Sequence, residues 1–585
     1  MGQVILLDLG QTESIGLKHL QHSLQKKGID CEIISFQEEI AKGYHIERGG
    51  LTYQVKNLND SVKATTAKID KLKEKMQEAS VIGISFIGQF EEASVRIPIA
   101  RYVKSTFPKQ VLIGGGPGIT SDASKIFRAA KLDYAIKGEG EEAFPKLIRA
   151  ILSGRKKEEI QKVEGIVYQK GRKVIETKSA QLTREKVAAL PFVYAKQSKD
   201  EINILTERGC PNACVFCTVP RKGKPAHIND NTIIEGLKEL AKNPEIKTIH
   251  FANDQLFLNE TRAKNFLNAL IQNKLSERFR FVGIATVEAF LKSGKPNLEL
   301  ISLMKRANFG SLTLGVEAFN DNMIRELKGG RFTAVQAIKI LDAINASGIQ
   351  AGTFRLAAGI HTTPKEFLES YYRATVRNIR RLNELPRAAS MIEAWGKMPI
   401  AEKAKREGLL YKHKGEVKSL QRTNPKTPVF VLPKDAALQT LFKQFLKQGR
   451  RDFRMEDIAQ IIHFAKTQLP QNDPQIKKLL QLQGRMIEIG SESRPLKRAM
   501  LRETILKEAK KRFGNTDKKN LDLLVQDKQF VKTAVEHAEI QATQYNILAR
   551  KAQKQTGIER LRTLAKGRKQ FGRSIFTRPS AMKLK

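Results

Sequence analysis

The sequence predicts an α/β protein built as an N-terminal doubly wound (Rossmann-like) parallel sheet, then a partial (β/α)6 TIM-type barrel, then a helical C-terminal appendage. Three observations carry that expectation. Short apolar runs alternate with amphipathic stretches over residues 1–150, the pattern of a buried parallel sheet. The alternation resumes at longer spacing from about 200 to 410, with room for six strand–helix units. Beyond 410 the strand signal disappears and apolar residues fall at helical spacing. The organisation read from the chain is 1–155, a linker or hairpin at 156–195, the barrel at 196–410, helices at 411–560 and a basic tail at 561–585.

Taken in order, VILLDL at 4–9 is a strand, followed by a helix at 14–28 with Ile15, Leu20 and Leu24 on one face. CEIISF (31–36) is the second strand, and a polar insert with a lysine-rich helix at 61–79 follows. VIGISFIG (81–88) and QVLIGGG (110–116) are further strands on either side of a helix, and DYAIKGEGEEAFPKLIRAIL closes the set. Gly-rich turns follow the strand ends, where doubly wound sheets bind ligands. EGIVYQKGRKVIET reads as a hairpin turning at Lys170-Gly171.

The barrel strands are expected at 202–207, 248–253, 279–286, 311–319, 349–357 and 389–395, with a helical pattern in each gap. Leu438, Leu441, Phe442, Phe445 and Leu446, and then Ile458, Ile461, Ile462 and Ala465, mark helices. The pattern continues through LDLLVQDKQFVKTAVEHAE near 540.

Charge is plentiful and uneven. Of a formal net charge of +42, +24 falls within 401–585, and the last 35 residues carry eleven positive charges against one negative. In the tail, Lys566, Arg568, Lys569, Arg573 and Arg578 interleave with Phe571 and Phe576, which suits a nucleic acid as readily as a solvated basic face. No apolar run reaches the 18 residues of a membrane span, and the N-terminus lacks the basic flank of a signal peptide.

Of four cysteines, Cys31 opens a buried strand and reads as an inert apolar thiol. Cys210, Cys214 and Cys217 lie within eight residues, directly after the first barrel strand. Such bunching suits a metal or cluster site in a reducing cytoplasm rather than a disulfide framework. Three thiolates on a short loop can hold three irons of a 4Fe–4S cluster and leave the fourth open to a chelating ligand. Structural zinc needs a fourth protein ligand, and His227, ten residues beyond Cys217, fits no common finger spacing.

The spacing Cys210-x-x-x-Cys214-x-x-Cys217, with Phe216 just before the third cysteine, resembles the radical S-adenosylmethionine (radical SAM) superfamily. The resemblance covers about 200–410. It implies a partial β/α barrel in which the three cysteines ligate a 4Fe–4S cluster and the open iron chelates SAM. Electron transfer then cleaves the sulfonium to a 5′-deoxyadenosyl radical. FANDQLF (251–257) resembles the segment ending the second strand, with Asn253 in place of the first acid and Asp254 kept. LGVEAFND (314–321) resembles the G-x-E segment, which makes Glu317 a SAM-contacting carboxylate. Asp254 is expected beside it, although as a helix N-cap it would need no ligand. Phe216 is assigned to the cofactor environment, where it packs beside the cluster. MPIAEKAKREGLL lacks the family's proline–glycine pair, and FRLAAGIHTT departs from the loop after the fifth strand, which leaves Arg355 a weak candidate.

Residues 1–150 resemble the cobalamin-binding domain that precedes many radical SAM barrels. Ser85, Gly115 and Gly116 are the residues assigned to cobalamin contact, with Gly138-Glu139-Gly140-Glu141 after the fifth strand. The cobalt-ligating Asp-x-His-x-x-Gly pattern is absent, and His19 and His22 fall on the following helix. The resemblance implies a cytoplasmic enzyme that binds a 4Fe–4S cluster, SAM and cobalamin and methylates an unactivated centre. It implies an electron donor such as a flavodoxin or ferredoxin, and leaves the substrate open. The alternatives are another radical reaction without cobalamin, or an RNA-binding scaffold with an inactive barrel.

Overall fold

The first strand is apolar along its length because it is covered on both faces. In a computed structural model of the chain, Val4, Ile5, Leu6 and Leu7 of the strand Gln3–Asp8 are buried. Ile5 and Leu7 join the core on one side of the sheet, and Val4 and Leu6 join the core on the other. The structure describes residues 3–491 except 47–52, 56, 88–94, 155–156, 220–222, 224, 381–388, 395–397, 414–428 and 454–456. The expected helix through 521–539 and the basic tail at 561–585 lie outside the described residues.

The N-terminal sheet runs Cys31–Ser35, Gln3–Asp8, Ala79–Ser85, Val111–Gly115 and Tyr134–Ile136, all parallel. Strand order reverses between Gln3–Asp8 and Ala79–Ser85, so the loops there diverge to opposite faces and open a crevice at the strand ends. The helices Ile15–Gln25 and Gly140–Leu152 cover one face, and Ile97–Thr106 and Pro117–Ala130 the other.

The barrel sheet begins with Tyr194–Lys196, antiparallel to Glu201–Ile204, and continues in parallel through Thr248–Phe251, Arg280–Thr286, Phe309–Glu317 and Gln350–Arg355. On its helix-covered side Phe251, Phe281 and Phe309 meet at ring-centroid distances of 5.7–5.8 Å, one aromatic from each of three successive strands. The expected α/β architecture is present.

Several local expectations are corrected. The sixth barrel strand shrinks to Ala389–Ser390, joined to the fifth by the parallel bridge Leu356↔Ser390. The hairpin Ile166–Lys170/Lys173–Glu176 turns at Gly171-Arg172, and it extends the N-terminal sheet antiparallel to Tyr134–Ile136. Strands do occur after 410: Leu410–Lys412 pairs with Val429–Val431, and Asp452–Phe453 with Ala389–Ser390. Pairings of two or three residues are too short to leave an alternating pattern. The lysine-rich helix breaks at Leu72 into Leu58–Lys71 and Lys73–Glu78. On the first helix Leu17, His19 and Leu24 are the buried residues, whereas His22 is exposed.

The chain divides into two compact units, 1–371 with 387–454, and 372–386 with 455–585. The sheet, the barrel and the helix Ala436–Lys447 belong to the first. In the second, the helix Ile458–Gln468 buries Ile458, Ile461, Ile462 and Ala465, and Pro474–Ser491 follows it.

Candidate active site

The loop carrying the three cysteines is held from both ends. Where the first barrel strand stops, Asn253 accepts from the Thr206 amide at 2.9 Å and donates to Thr206 Oγ1 at 2.7 Å. An amide both donates and accepts, and Asn253 uses both capacities where an acid is usual. Gly209 then takes φ of 94° and donates its N–H to Asp254 Oδ2 at 2.7 Å. Asp254 is therefore not the N-cap of the next helix, a role that Asn259 fills. On the far side, Val215 N–H donates to Leu327 O at 3.2 Å and Ile400 N–H to Val215 O at 2.9 Å. Phe216 packs against the apolar group that contains Leu327, Met398 and Ile400.

Cys210 and Cys214 are buried and Cys217 partly so, and none of the four cysteines is in a disulfide. Burial first, then Cys214, Cys217 and Asp254 nearby, push the Cys210 thiol up to about 11. A ligated metal must displace that proton. Among the described residues no three His, Cys, Asp or Glu side chains already converge as a metal cage. The donor chemistry fits a cluster: three sulfur donors at a strand end, with no imidazole among them, are the soft set that iron–sulfur centres take. Cys31, by contrast, is buried in the N-terminal core, and burial pushes its thiol up to about 12.

Glu317 ends the fourth parallel strand in a left-handed conformation, φ 66°, at a register shift against Arg355. That conformation costs a non-glycine residue roughly 1–2 kcal/mol. The carboxylate is buried, and burial raises its pKa while Lys328 partly offsets the rise. Lys328 Nζ stands 3.9 Å from Glu317 Oε1 and donates to Gly315 O at 2.6 Å. A Cβ on Gly315 would lie 3.1 Å from Lys328 Nζ and 3.2 Å from Glu317 Oε1. Leu327, which receives the cysteine loop, precedes Lys328, so the thiols and Glu317 share one end of the barrel.

The N-terminal residues meet at a cavity of about 780 Å³ at the C-terminal ends of the parallel strands. Asp8, Ser85, Gly115, Gly116 and Gly138 line it, and so do Arg208, Gly209 and Asp254 from the barrel. Gly116 has φ 91°, and a Cβ there would lie 2.7 Å from Phe86 O. Arg208, half-buried, pairs with the buried Glu141 and reaches Glu139 at 3.6 Å. Burial raises the Glu141 pKa, but Arg208 outweighs it and holds the carboxyl below its usual range. Among the described residues that line it there is no histidine, cysteine, methionine or lysine. The glycine walls therefore fit a bulky ligand gripped by backbone, and they present no imidazole to a cobalt.

Sequence reasoning missed four groups that organise this region. Lys328 is a buried cation on the helix that follows the Glu317 strand, and Arg208 is a half-buried one whose partner Glu141 lies 67 residues away in sequence. Glu207, buried, accepts from Arg262 and Gln255 and stands 2.9 Å from His227 Nδ1. Arg331 donates to Cys214 Sγ at 3.3 Å. The one signal available was a charged residue at a strand end, as in Thr206-Glu207-Arg208, where burial demands a partner.

A three-thiol loop after the first strand of an open β/α barrel is a donor set that suits a cluster. Residues 204–373 match the Radical SAM superfamily profile. The chain is 25% identical over 298 residues to an uncharacterized methyltransferase of Pyrococcus horikoshii, covering 49% of this chain and 61% of that protein. It is 21% identical over 260 residues to the anaerobic magnesium-protoporphyrin IX monomethyl ester cyclase of Cereibacter sphaeroides, covering 43% and 42%. The match thus spans less than two thirds of either relative. Among solved structures, the radical S-adenosylmethionine methyltransferase TsrM from Kitasatospora setae, with cobalamin and a [4Fe-4S] cluster bound, superposes with TM-score 0.58. It is 14% identical and covers 81% of this chain and 90% of that one. The cobalamin-dependent radical enzyme OxsB, with aqua-cobalamin and S-adenosylmethionine bound, gives TM-score 0.59, 14% identity and coverage of 98% and 84%. At these identities the likeness is one of fold. Among the described residues no helix is long and apolar enough to cross a membrane.

Proposed function

We propose that this chain is a radical SAM enzyme that uses a 4Fe–4S cluster, SAM and cobalamin to methylate an unactivated centre. The observation that carries the reading is the shared wall between its two halves. Arg208 and Gly209, immediately before Cys210, line the same cavity as Gly115, Gly116 and Gly138 of the N-terminal sheet.

When bound, the cluster supplies single electrons and the corrinoid a transferable methyl group. The rest falls to the chain. Cys210, Cys214 and Cys217 would hold three irons as thiolates, on a loop that buries the first two cysteines and leaves the third partly exposed. Glu317, anchored by Lys328, offers a carboxylate to the amino or hydroxyl groups of SAM, and Gly315 leaves the space beside it. Asp254 fixes the Gly209 amide and so the approach of Cys210. Ser85, Gly115 and Gly116 let a corrinoid lie against backbone, as Gly-rich turns at a switch point allow. Phe216 shields the loop from the barrel side.

The electron comes from an external one-electron donor, with a flavodoxin or ferredoxin the expected class, in the reducing cytoplasm that three neighbouring thiols favour. The charge of 561–585 supports a polyanion such as RNA as a further partner. The test is anaerobic reconstitution with iron, sulfide and hydroxocobalamin, followed by assay of metal, corrinoid and SAM-derived products. About four irons and one corrinoid per chain support the reading. A cluster without corrinoid would favour the non-cobalamin alternative, and no iron would reject both.

A further inference from the structure

Arg331 reaches the cysteine loop from a distant part of the chain. The helix Asp321–Lys328 ends in Gly329 and Gly330, at φ 77° and 71°, and two successive left-handed residues turn the chain back sharply. Arg331, the next residue, then donates Nη2 to Cys214 Sγ at 3.3 Å and Nε to Glu288 Oε1 at 2.7 Å. The same Glu288 oxygen accepts from Asn212 Nδ2 at 3.2 Å, and Asn212 lies between Cys210 and Cys214. Glu288 Oε2 is buried with no hydrogen-bond partner. One thiol therefore faces a guanidinium oriented by a carboxylate, and that carboxylate is tied back to the cysteine loop.

We infer that Arg331 and Glu288 set the reduction potential of the cluster by opposing charges at its Cys214 corner. This rests on the proposed cluster. Both are positioning residues that act through the Cys214 sulfur. Reduction adds an electron to the cluster, so a cation donating to a ligand sulfur favours the reduced form and a nearby carboxylate opposes it. Glu288 moderates the arginine's charge while fixing its fork toward the sulfur. A purely structural tie would make the two residues equivalent, since losing either one opens the same bridge. The electrostatic role makes them opposite.

The experiment is an anaerobic redox titration of the reconstituted full chain, followed by the EPR signal of the reduced cluster, with iron measured in each sample. Arg331→Met is expected to move the midpoint to more negative potential, and Arg331→Lys to move it less. Glu288→Gln keeps the acceptor for Asn212 and removes only charge, so the midpoint is expected to move positive. Shifts of the same sign in Arg331→Met and Glu288→Gln, or no shift in either, overturn the inference. If Arg331→Met does not hold iron, Glu288→Gln decides alone: a positive shift upholds the inference, and any other result overturns it. A parent protein that takes up no cluster overturns the functional reading, and this inference with it. A loaded parent with unseparated variants overturns this inference alone.

Discussion

Replacing Gly116 by alanine tests whether the N-terminal cavity grips its ligand by backbone. Gly116 has φ 91° and ψ −178°, a region essentially reserved for glycine, where another residue costs roughly 1–3 kcal/mol. The added Cβ would lie 2.7 Å from Phe86 O and 2.9 Å from Ser85 Oγ. Neither strand end yields easily, because Phe86 N–H donates to Gly115 O at 2.8 Å and Phe86 O accepts from Gly118 N–H at 2.8 Å. The wall relaxes away from its present position, and a bound corrinoid must push it back. Strain of that size appears as a tenfold to hundredfold loss of hydroxocobalamin affinity, about 1.4–2.7 kcal/mol. The assay is equilibrium titration of the cluster-loaded chain by corrinoid absorbance. Gly171→Ala is the control: its φ is also positive, 57°, but a Cβ there meets nothing within 4 Å and it lies in the hairpin turn. Equal affinity in parent and Gly116→Ala, or an equal loss in Gly171→Ala, would refute the reasoning.

Other consequences follow from buried charge. Glu317→Gln is expected to weaken SAM binding tenfold to a hundredfold, as loss of one charge-assisted hydrogen bond of about 1.5–3 kcal/mol implies, with iron content unchanged; unchanged affinity rejects the contact. Lys328→Met strands the Glu317 carboxylate in the barrel and should lower stability by about 3–5 kcal/mol, read as a fall in melting temperature, whereas Lys328→Met with Glu317→Gln should recover most of it. His19 is buried, and burial, with Arg208 nearby, lowers its pKa from 6.5 to about 4. The unfolded chain takes up that proton first, so its contribution to stability is complete above about pH 6.5 and is lost as pH falls toward 4. The loss is on the order of 3 kcal/mol, and His19→Leu should flatten that part of the stability profile.

What was legible in the sequence was whatever is encoded locally. Val4–Leu7 could be read as a doubly covered strand because each face of a parallel sheet demands apolar residues. The cysteine loop could be read because ligand spacing is written in consecutive residues, and Gly116 because positive φ selects glycine. The Arg208–Glu141 pair and the Lys328–Glu317 pair were not legible, since each joins elements that meet only after the chain folds. Arg331 lies 117 residues from Cys214, and nothing in its neighbourhood beyond two glycines hints at a sulfur partner. Asp254 shows the same limit: its residue type was readable, but its commitment to the Gly209 amide rather than to a helix cap depends on where Asn259 falls. The strands after 410 escaped because two- and three-residue pairings carry no periodicity.

In the proposed function Cys210, Cys214 and Cys217 together hold a cluster that cleaves SAM. The most direct measurement is iron and sulfide per chain, with 5′-deoxyadenosine formed under reductant, for the parent, each single Cys→Ala variant of the three, and Cys31→Ala. The parent and Cys31→Ala should load the cluster and cleave SAM alike. Each of the three loop variants should lose cleavage as completely as the triple variant, because ligands acting as a unit are not additive. Loss of iron in Cys31→Ala to the same extent, or retained cleavage in any loop variant, would contradict the proposed function.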